Sequence, residues 1–189
     1  RSFAYNRMAG RLYISMLYKD IYNDKLPTLY EMLSQLAERG LASQTFVDSF
    51  TQYEYEELNS ILDHKSDLNY AHYQIEQAME KYSLRDRVKG GYLETPQYSA
   101  MRVAMQMCKN RKNRIERIKR HYNKIRSDVL NVPTPYYTNS GTDKLGLASC
   151  CLHESDDFVG SLAAGNHISY MMTVNSAGQG TKIRTRTVN

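Results

Sequence analysis

The sequence predicts an α/β protein in two parts. A mainly helical N-terminal domain covers residues 1–131, and a strand–helix–loop unit over 132–189 is of the kind that opens an α/β barrel. Three observations predict this. Through the first two thirds, apolar residues recur at spacings of three and four, the period of one helix face. Threonine caps and helix-compatible prolines punctuate the same region. After Val132 the texture shifts to Pro, Gly, Thr and Asn, and then to the short apolar run LGLASCCLHE.

The elements follow in order. Over residues 5–21, Tyr5, Met8, Ala9, Leu12, Tyr13, Met16, Leu17 and Ile21 form one apolar helix face. Pro27 opens a second helix, LPTLYEMLSQLAERG, whose Gly40 stands where a C-terminal cap belongs. Thr51 and Glu54 have capping-box spacing ahead of YEYEELNSIL. A fourth helix covers residues 70–82. Gly90 and Gly91 then mark a hairpin or extended excursion. Thr95 and Pro96 are a cap and a first-turn proline before QYSAMRVAMQMC. In KNRKNRIERIKRHYNKIR, Ile115, Ile118, Tyr122 and Ile125 share a face, so the run reads as an amphipathic helix with a solvated basic side in preference to a nucleic-acid helix. VPTPYYTNSGTDKLG reads as loop or strand-edge backbone. LGLASCCLHE reads as a short buried strand, with Ser155 or Asp156 capping the helix DFVGSLAAGNHISYMM.

Composition narrows the function classes. With 189 residues, 41% hydrophobic and 24% charged, the chain is long enough to bury a core and is not disordered by composition. The formal charge of +5 suggests only mild attraction to polyanions. No apolar stretch reaches bilayer-spanning length, and residues 1–20 lack the core of a secretory signal. Three cysteines, none at zinc-knuckle spacing, argue against a disulfide framework and for a reducing, cytoplasmic setting. The chain begins at Arg1 and not Met, so the expectation is that upstream residues are either missing or processed.

Cys150 and Cys151 are the chemically pointed residues. Neighbouring side chains on a strand point to opposite faces, so both thiols cannot serve one site, and a disulfide between them would be strained. One can be functional while the other packs, although periodicity alone favours packing for each. A metal site would need His153 and Glu154 to converge with Cys150, which strand geometry opposes. The PTP at 133–135 and SAGQG at 176–180 would offer backbone amides and a hydroxyl suited to phosphate and ribose oxygens.

In order along the chain stand AYNRMAGRLYISMLYKDIY, LPTLYEMLSQLAERG, LDHKSDLNYAHYQIEQAMEKYSLRDR, ETPQYSAMRVAM, PTP, LASCCLHESDD and NSAGQG. Their order and spacing resemble the large, catalytic subunit of class I ribonucleotide reductase over nearly the whole chain. The resemblance implies that the Ser-Cys strand is the first of a ten-stranded α/β barrel. It makes Cys150 one of two thiols that close to a disulfide as substrate is reduced, and leaves Cys151 as packing. Thr134 and Ser149 match substrate contacts, and Ala177 and Gly178 match a loop whose backbone approaches substrate. Asp157 matches the acidic residue that holds the ribose of a regulatory deoxynucleotide. Arg184 and Arg186 lie where the family grips that effector's phosphates.

The same resemblance implies a dNTP or ATP effector with magnesium, no covalently bound group and no metal ligands in this chain, and a radical delivered by a metal-containing small subunit. Thioredoxin or glutaredoxin would return electrons, and the large subunit would dimerise. A membrane partner is not expected, nor is nucleic acid. The family's radical cysteine with its Asn and Glu partners, the second redox cysteine and the C-terminal shuttle cysteines have no counterpart in residues 1–189, and a recognisable ATP-cone domain ahead of Arg1 is not expected. The expectation is therefore a piece of a split or truncated subunit, of the kind an interrupted phage gene produces, completed by a complementary C-terminal segment. The alternatives are a non-catalytic regulatory or assembly remnant, and a basic helical nucleic-acid binder.

Overall fold

The computed structural model describes residues 3–23, 25–86, 88, 90–175 and 177–184. Its helical part runs α1 (Phe3–Tyr22), α2 (Leu29–Glu38), α3 (Gln44–Val47), α4 (Gln52–Asn59), a 3₁₀ segment (His64–Asn69), α5 (His72–Gln77) continued by a π turn (Ala78–Tyr82), α6 (Pro96–Cys108), α7 (Arg114–Arg126) and α8 (Thr134–Asn139). A parallel pair, β1 (Cys150–Asp156) and β2 (Gly178–Arg184), follows, connected by α9 (Val159–Val174). The chain is thus mainly helical with one short two-stranded parallel sheet. No helix among the described residues is long and apolar enough to cross a membrane.

Local chemistry explains most boundaries. Thr28 with Glu31, and Thr51 with Glu54, form reciprocal capping boxes that start α2 and α4. Pro27 therefore lies ahead of the cap of α2 instead of inside its first turn. Gly40, at φ +68°, follows the C-cap Arg39. Thr95 precedes Pro96 as expected, but its side chain does not cap α6; the residue is buried, and its backbone N–H donates to Tyr22 Oη. The Gly90–Gly91 excursion is held by a single antiparallel bridge between Arg85 and Tyr92. α7 starts at Arg114, several residues into the basic run, because Asn113 adopts a left-handed conformation and breaks it from α6.

α6 is the axis of the helical body. Eleven of its thirteen residues are buried, so neighbours cover it on every side, and α7, α8, the 3₁₀ segment and the π turn all pack against it. Its Tyr98, Met101, Val103, Ala104 and Met105 meet Leu29, Leu33 and Leu36 of α2, Tyr55 and Leu58 of α4, and Ile118 and Tyr122 of α7 in one core. A smaller cluster of Ile14, Leu17, Ile75 and Met79 seats α1 on α5.

α1 corrects the expected face. The structure buries Gly10, Ile14 and Leu17, whereas Tyr5, Met8, Leu12 and Met16 are exposed. Gly10 decides the orientation. A Cβ there would lie 2.4 Å from the Tyr70 carbonyl oxygen, so the glycine edge is the one that can approach the 70–72 backbone. The PTP segment differs as well. It opens α8 instead of remaining loop, with Pro133 as N-cap and Pro135 in the first turn.

Two buried polar networks bind these helices. In the first, Asp67 Oδ2 accepts from Tyr18 Oη at 2.7 Å and Oδ1 accepts from Gln97 Nε2 at 2.6 Å. Tyr122 Oη donates to Gln97 Oε1, and Asp63 N–H donates to Tyr122 Oη. This connects α1, the 3₁₀ segment, α6 and α7. In the second, Arg102 and Glu94, both fully buried, form a two-point ion pair, Nε to Oε2 at 3.0 Å and Nη2 to Oε1 at 2.5 Å. The same guanidinium donates to the carbonyls of Tyr137 and Ser140 at the end of α8, while Glu94 also accepts from Leu84 N–H.

Asp67 makes stability depend on pH. Burial, with a smaller contribution from Asp63, pushes its carboxyl from about 3.8 up to about 7, against the opposing hydrogen bonds from Gln97 and Tyr18. The folded state thus holds the proton more tightly than the unfolded chain. The stabilisation is complete below the unfolded value, declines as pH rises toward about 7, and changes no further above it. Asp67→Asn is expected to flatten the melting temperature between about pH 4 and 7.5. An unchanged pH dependence in that variant would assign the titration to another group.

Candidate active site

The short sheet brings together most of the predicted site residues. β1 and β2 pair in register from Cys150 opposite Gly178 to Asp156 opposite Arg184. Gly178 N–H donates to the Ser149 carbonyl at 2.7 Å. A Cβ built on Gly178 would stand 3.2 Å from that carbonyl oxygen and 3.6 Å from Cys150 Sγ, so the thiol sits against backbone that carries no side chain. Ala177, buried, donates its N–H to the Met172 carbonyl and so joins β2 to the end of α9. Ser149, Cys150, Ala177 and Gly178 therefore share one end of the strand pair.

The two adjacent thiols separate by face. Cys151, His153 and Ser155 turn toward α9, where Gly165 permits close packing. A Cβ at Gly165 would fall 2.4 Å from Ser155 Oγ and 2.9 Å from His153 Nε2. Ser155 is buried there and does not cap the helix, whose N-cap is Phe158. His153 is engaged by Gln179 at Nδ1 and Thr181 at Nε2. Cys150 and Leu152 look out from the opposite face, and Leu152 is 87% exposed. The strand is thus open on one side, where a fully buried strand was expected. All three cysteines are free; Cys150 is exposed, Cys151 half-buried and Cys108 buried between α6 and α7.

The predicted effector residues lie at the far end. Six residues of extended chain, roughly 20 Å, separate Cys150 from Asp156. Asp157 follows in the turn into α9 and is half-buried. Arg184 closes β2, and its guanidinium holds Glu154 with Nε 2.7 Å and Nη2 3.1 Å from the carboxylate. Arg184 and then Lys182 hold the Glu154 carboxyl below the usual range. These pairs are solvent-exposed, so they cost little to rearrange. Arg186 lies outside the described residues. Thr134 is the exposed first residue of α8.

The residues that position the thiol were not among those predicted. Asn139, buried on α8, donates from Nδ2 to the Gly146 carbonyl at 2.5 Å. Gly146 lies against the end of α9, where an added Cβ would fall 2.0 Å from the Asn175 carbonyl oxygen. Ala177 and Gly178 follow two and three residues beyond Asn175. A continuous line therefore runs from Arg102 through α8, Asn139 and Gly146 to the backbone beside Cys150. An arginine inside the apolar run AMRVAM was the one available signal for its origin.

Gly146→Ala is expected to cost about 1–3 kcal/mol through this clash and to alter the alkylation rate of Cys150. Gly160→Ala, whose Cβ would meet only the exposed Phe158 ring, serves as the near-neutral control. Equal effects of the two substitutions would contradict the positioning role of Gly146.

Comparison with known proteins agrees with the motifs. Residues 68–144 match the family described as "Ribonucleotide reductase, all-alpha domain". Over 163 residues the chain is 30% identical to ribonucleoside-diphosphate reductase subunit alpha of Buchnera aphidicola subsp. Schizaphis graminum, covering 85% of this chain and 21% of that protein. It is 28% identical over the same length to ribonucleoside-diphosphate reductase 1 subunit alpha of Escherichia coli K12, covering 85% of this chain and 21% of that protein. To the alpha subunit of Enterobacteria phage T4 it is 23% identical over 171 residues, covering 88% of this chain and 23% of that protein. The chain spans about a fifth of the length of these relatives. By family match and alignment, the chain matches an N-terminal portion of ribonucleoside-diphosphate reductase large subunits.

Proposed function

We propose that the chain supplies the N-terminal share of a ribonucleoside-diphosphate reductase site, with Cys150 as one of its two electron-donating thiols. The observation that carries this reading is the placement of a free, exposed thiol against the bare backbone of Gly178, on the open face of a parallel strand pair. Reduction exchanges the ribose 2′-hydroxyl for hydrogen. Two thiols give up two electrons and close to a disulfide, and the hydroxyl leaves as water. The mate of Cys150 has to come from outside these 189 residues. Cys108 is sealed in the helical core and Cys151 turns to the other face.

The remaining roles follow the family pattern. Ser149 and Thr134 would hold substrate through their hydroxyls, and Ala177 and Gly178 through close backbone approach. Asp157 would accept from the sugar of a dNTP or ATP effector carrying magnesium, with Arg184 and Arg186 on its phosphates. That puts effector and thiol at opposite ends of one βαβ unit. The unit itself fits the opening of a ten-stranded barrel. Among the described residues both outer edges of the pair are unpaired, and Leu152 lacks cover. A complementary C-terminal segment would provide the other strands and the radical cysteine, whether as continuous chain or as a separate polypeptide. A small subunit would deliver the radical and a thioredoxin or glutaredoxin the electrons, within a large-subunit dimer in the cytoplasm.

With the complementary segment, small subunit and thiol donor present, Cys150→Ser is expected to lower multiple turnover of a ribonucleoside diphosphate by roughly a hundredfold or more. Cys151→Ser should mainly cost stability. Equal loss of turnover from both substitutions would show that the thiol has been assigned to the wrong face.

A further inference from the structure

Against the solvated-face reading of the basic run, we propose that the outer face of α7, together with the turn before it, is a docking surface for the backbone of duplex DNA. Arg111, Lys112, Arg117, Arg120 and Lys124 are all exposed. Among the described residues none of the five is in an ion pair. The nearby carboxylates are committed elsewhere: Glu54 to Arg114, Glu57 and Glu116 to Lys119, and Asp63 to Arg126. α4 and the 3₁₀ segment thus neutralise the inner cations of α7 and leave the outer ones unopposed.

The cations also converge. Arg117, Arg111 and Arg120 all act on the Cys108 thiol, each drawing its pKa down against the larger upward push of burial. Three unpaired guanidinium groups thus lie on the same side of the helix pair as that thiol, and gathered like charges favour an anion nearby. Arg117, Arg120 and Lys124 stand at i, i+3 and i+7, a row about 10 Å long on a convex helix. A row of that shape tracks a polymer of phosphates better than it encloses a small ligand.

The chemistry of the face selects the occupant. Protein hot spots are Trp, Tyr and Arg set in well-packed, water-excluded pockets; this face offers arginines on a convex, exposed row, and none of the exposed large apolar residues lies within residues 109–126 to exclude water around them. Single strands are held largely by stacking on aromatics, which this face also lacks. Purely electrostatic binding is strongest where phosphates are densest, on a duplex. The B-form major groove admits a helix, whereas the A-form groove of duplex RNA is too narrow.

The test measures anisotropy of a labelled DNA duplex of about 20 base pairs against the full-length protein at several salt concentrations. Five phosphate contacts predict a log–log salt slope near −4.5, about a 500-fold loss of affinity between 50 and 200 mM. Replacing Arg117, Arg120 and Lys124 together with Gln should make the slope shallower by about 2.7 while circular dichroism shows the helices intact. Replacing Lys19, Lys25 and Lys65, exposed cations elsewhere, should leave it unchanged. The proposal falls if no duplex binding occurs at low salt, or if the triple variant keeps the full slope. It also falls if polyglutamate, single-stranded DNA or duplex RNA binds as tightly as duplex DNA.

Discussion

The ion pair between Glu94 and Arg102 is the constraint on which the rest of the molecule depends. Both side chains are fully buried, and each side-chain nitrogen and oxygen of the two has at least one partner. Such a pair adds little net stability over an apolar replacement, but losing one member leaves a bare charge in the core at a cost of about 3–5 kcal/mol. Its contribution is positional. Arg102 belongs to α6, the most enclosed helix, and its guanidinium fastens the last carbonyls of α8. From α8, Asn139 reaches Gly146, and Gly146 lies on the end of α9 next to the backbone facing Cys150. The helical body thereby fixes where the thiol strand starts.

That arrangement gives the βαβ unit a direction. One end joins the exposed thiol, Ser149 and the small residues Ala177 and Gly178. At the other lie Asp157 and the Glu154–Arg184 pair. A ligand at the charged end and a substrate at the thiol end would be connected by two strands and a helix whose packing admits no larger residue at Gly165. The tolerance for movement between them is small, because close-packed elements shift as units.

Much of the fold was legible in the residues, and the exceptions have physical causes. Capping boxes at Thr28 and Thr51, the proline of α6 and the basic amphipathic α7 are local signals, and each appears as an element. The face of α1 was misread because a hydrophobic count favours Met8, Leu12 and Met16, whereas close backbone approach favours Gly10. A count of apolar residues cannot see that a neighbouring chain lies within reach of a missing Cβ. The helix at Thr134 was hidden by two prolines, which suit a first turn as well as a loop. For the site, the opposite faces of Cys150 and Cys151 follow from strand periodicity alone. Its supports do not: Arg102 reaches Tyr137 and Ser140 at the end of α8, and Gly146 meets Asn175, across long stretches of sequence, and nothing nearby in the chain marks those partners.

The most direct measurement is hydrogen exchange, residue by residue, in Arg102→Met beside Glu94→Leu/Arg102→Met. The account predicts that the single variant loses stability and that protection collapses in α8 and at Gly178, while α1 and α5 keep theirs. It predicts that the double variant regains much of the stability yet leaves α8 and Gly178 unprotected, since the burial penalty is gone but the fastening is not restored. Unchanged protection at α8 and Gly178 in the single variant would contradict it, because the strand carrying Cys150 would then be held in place by something other than this pair.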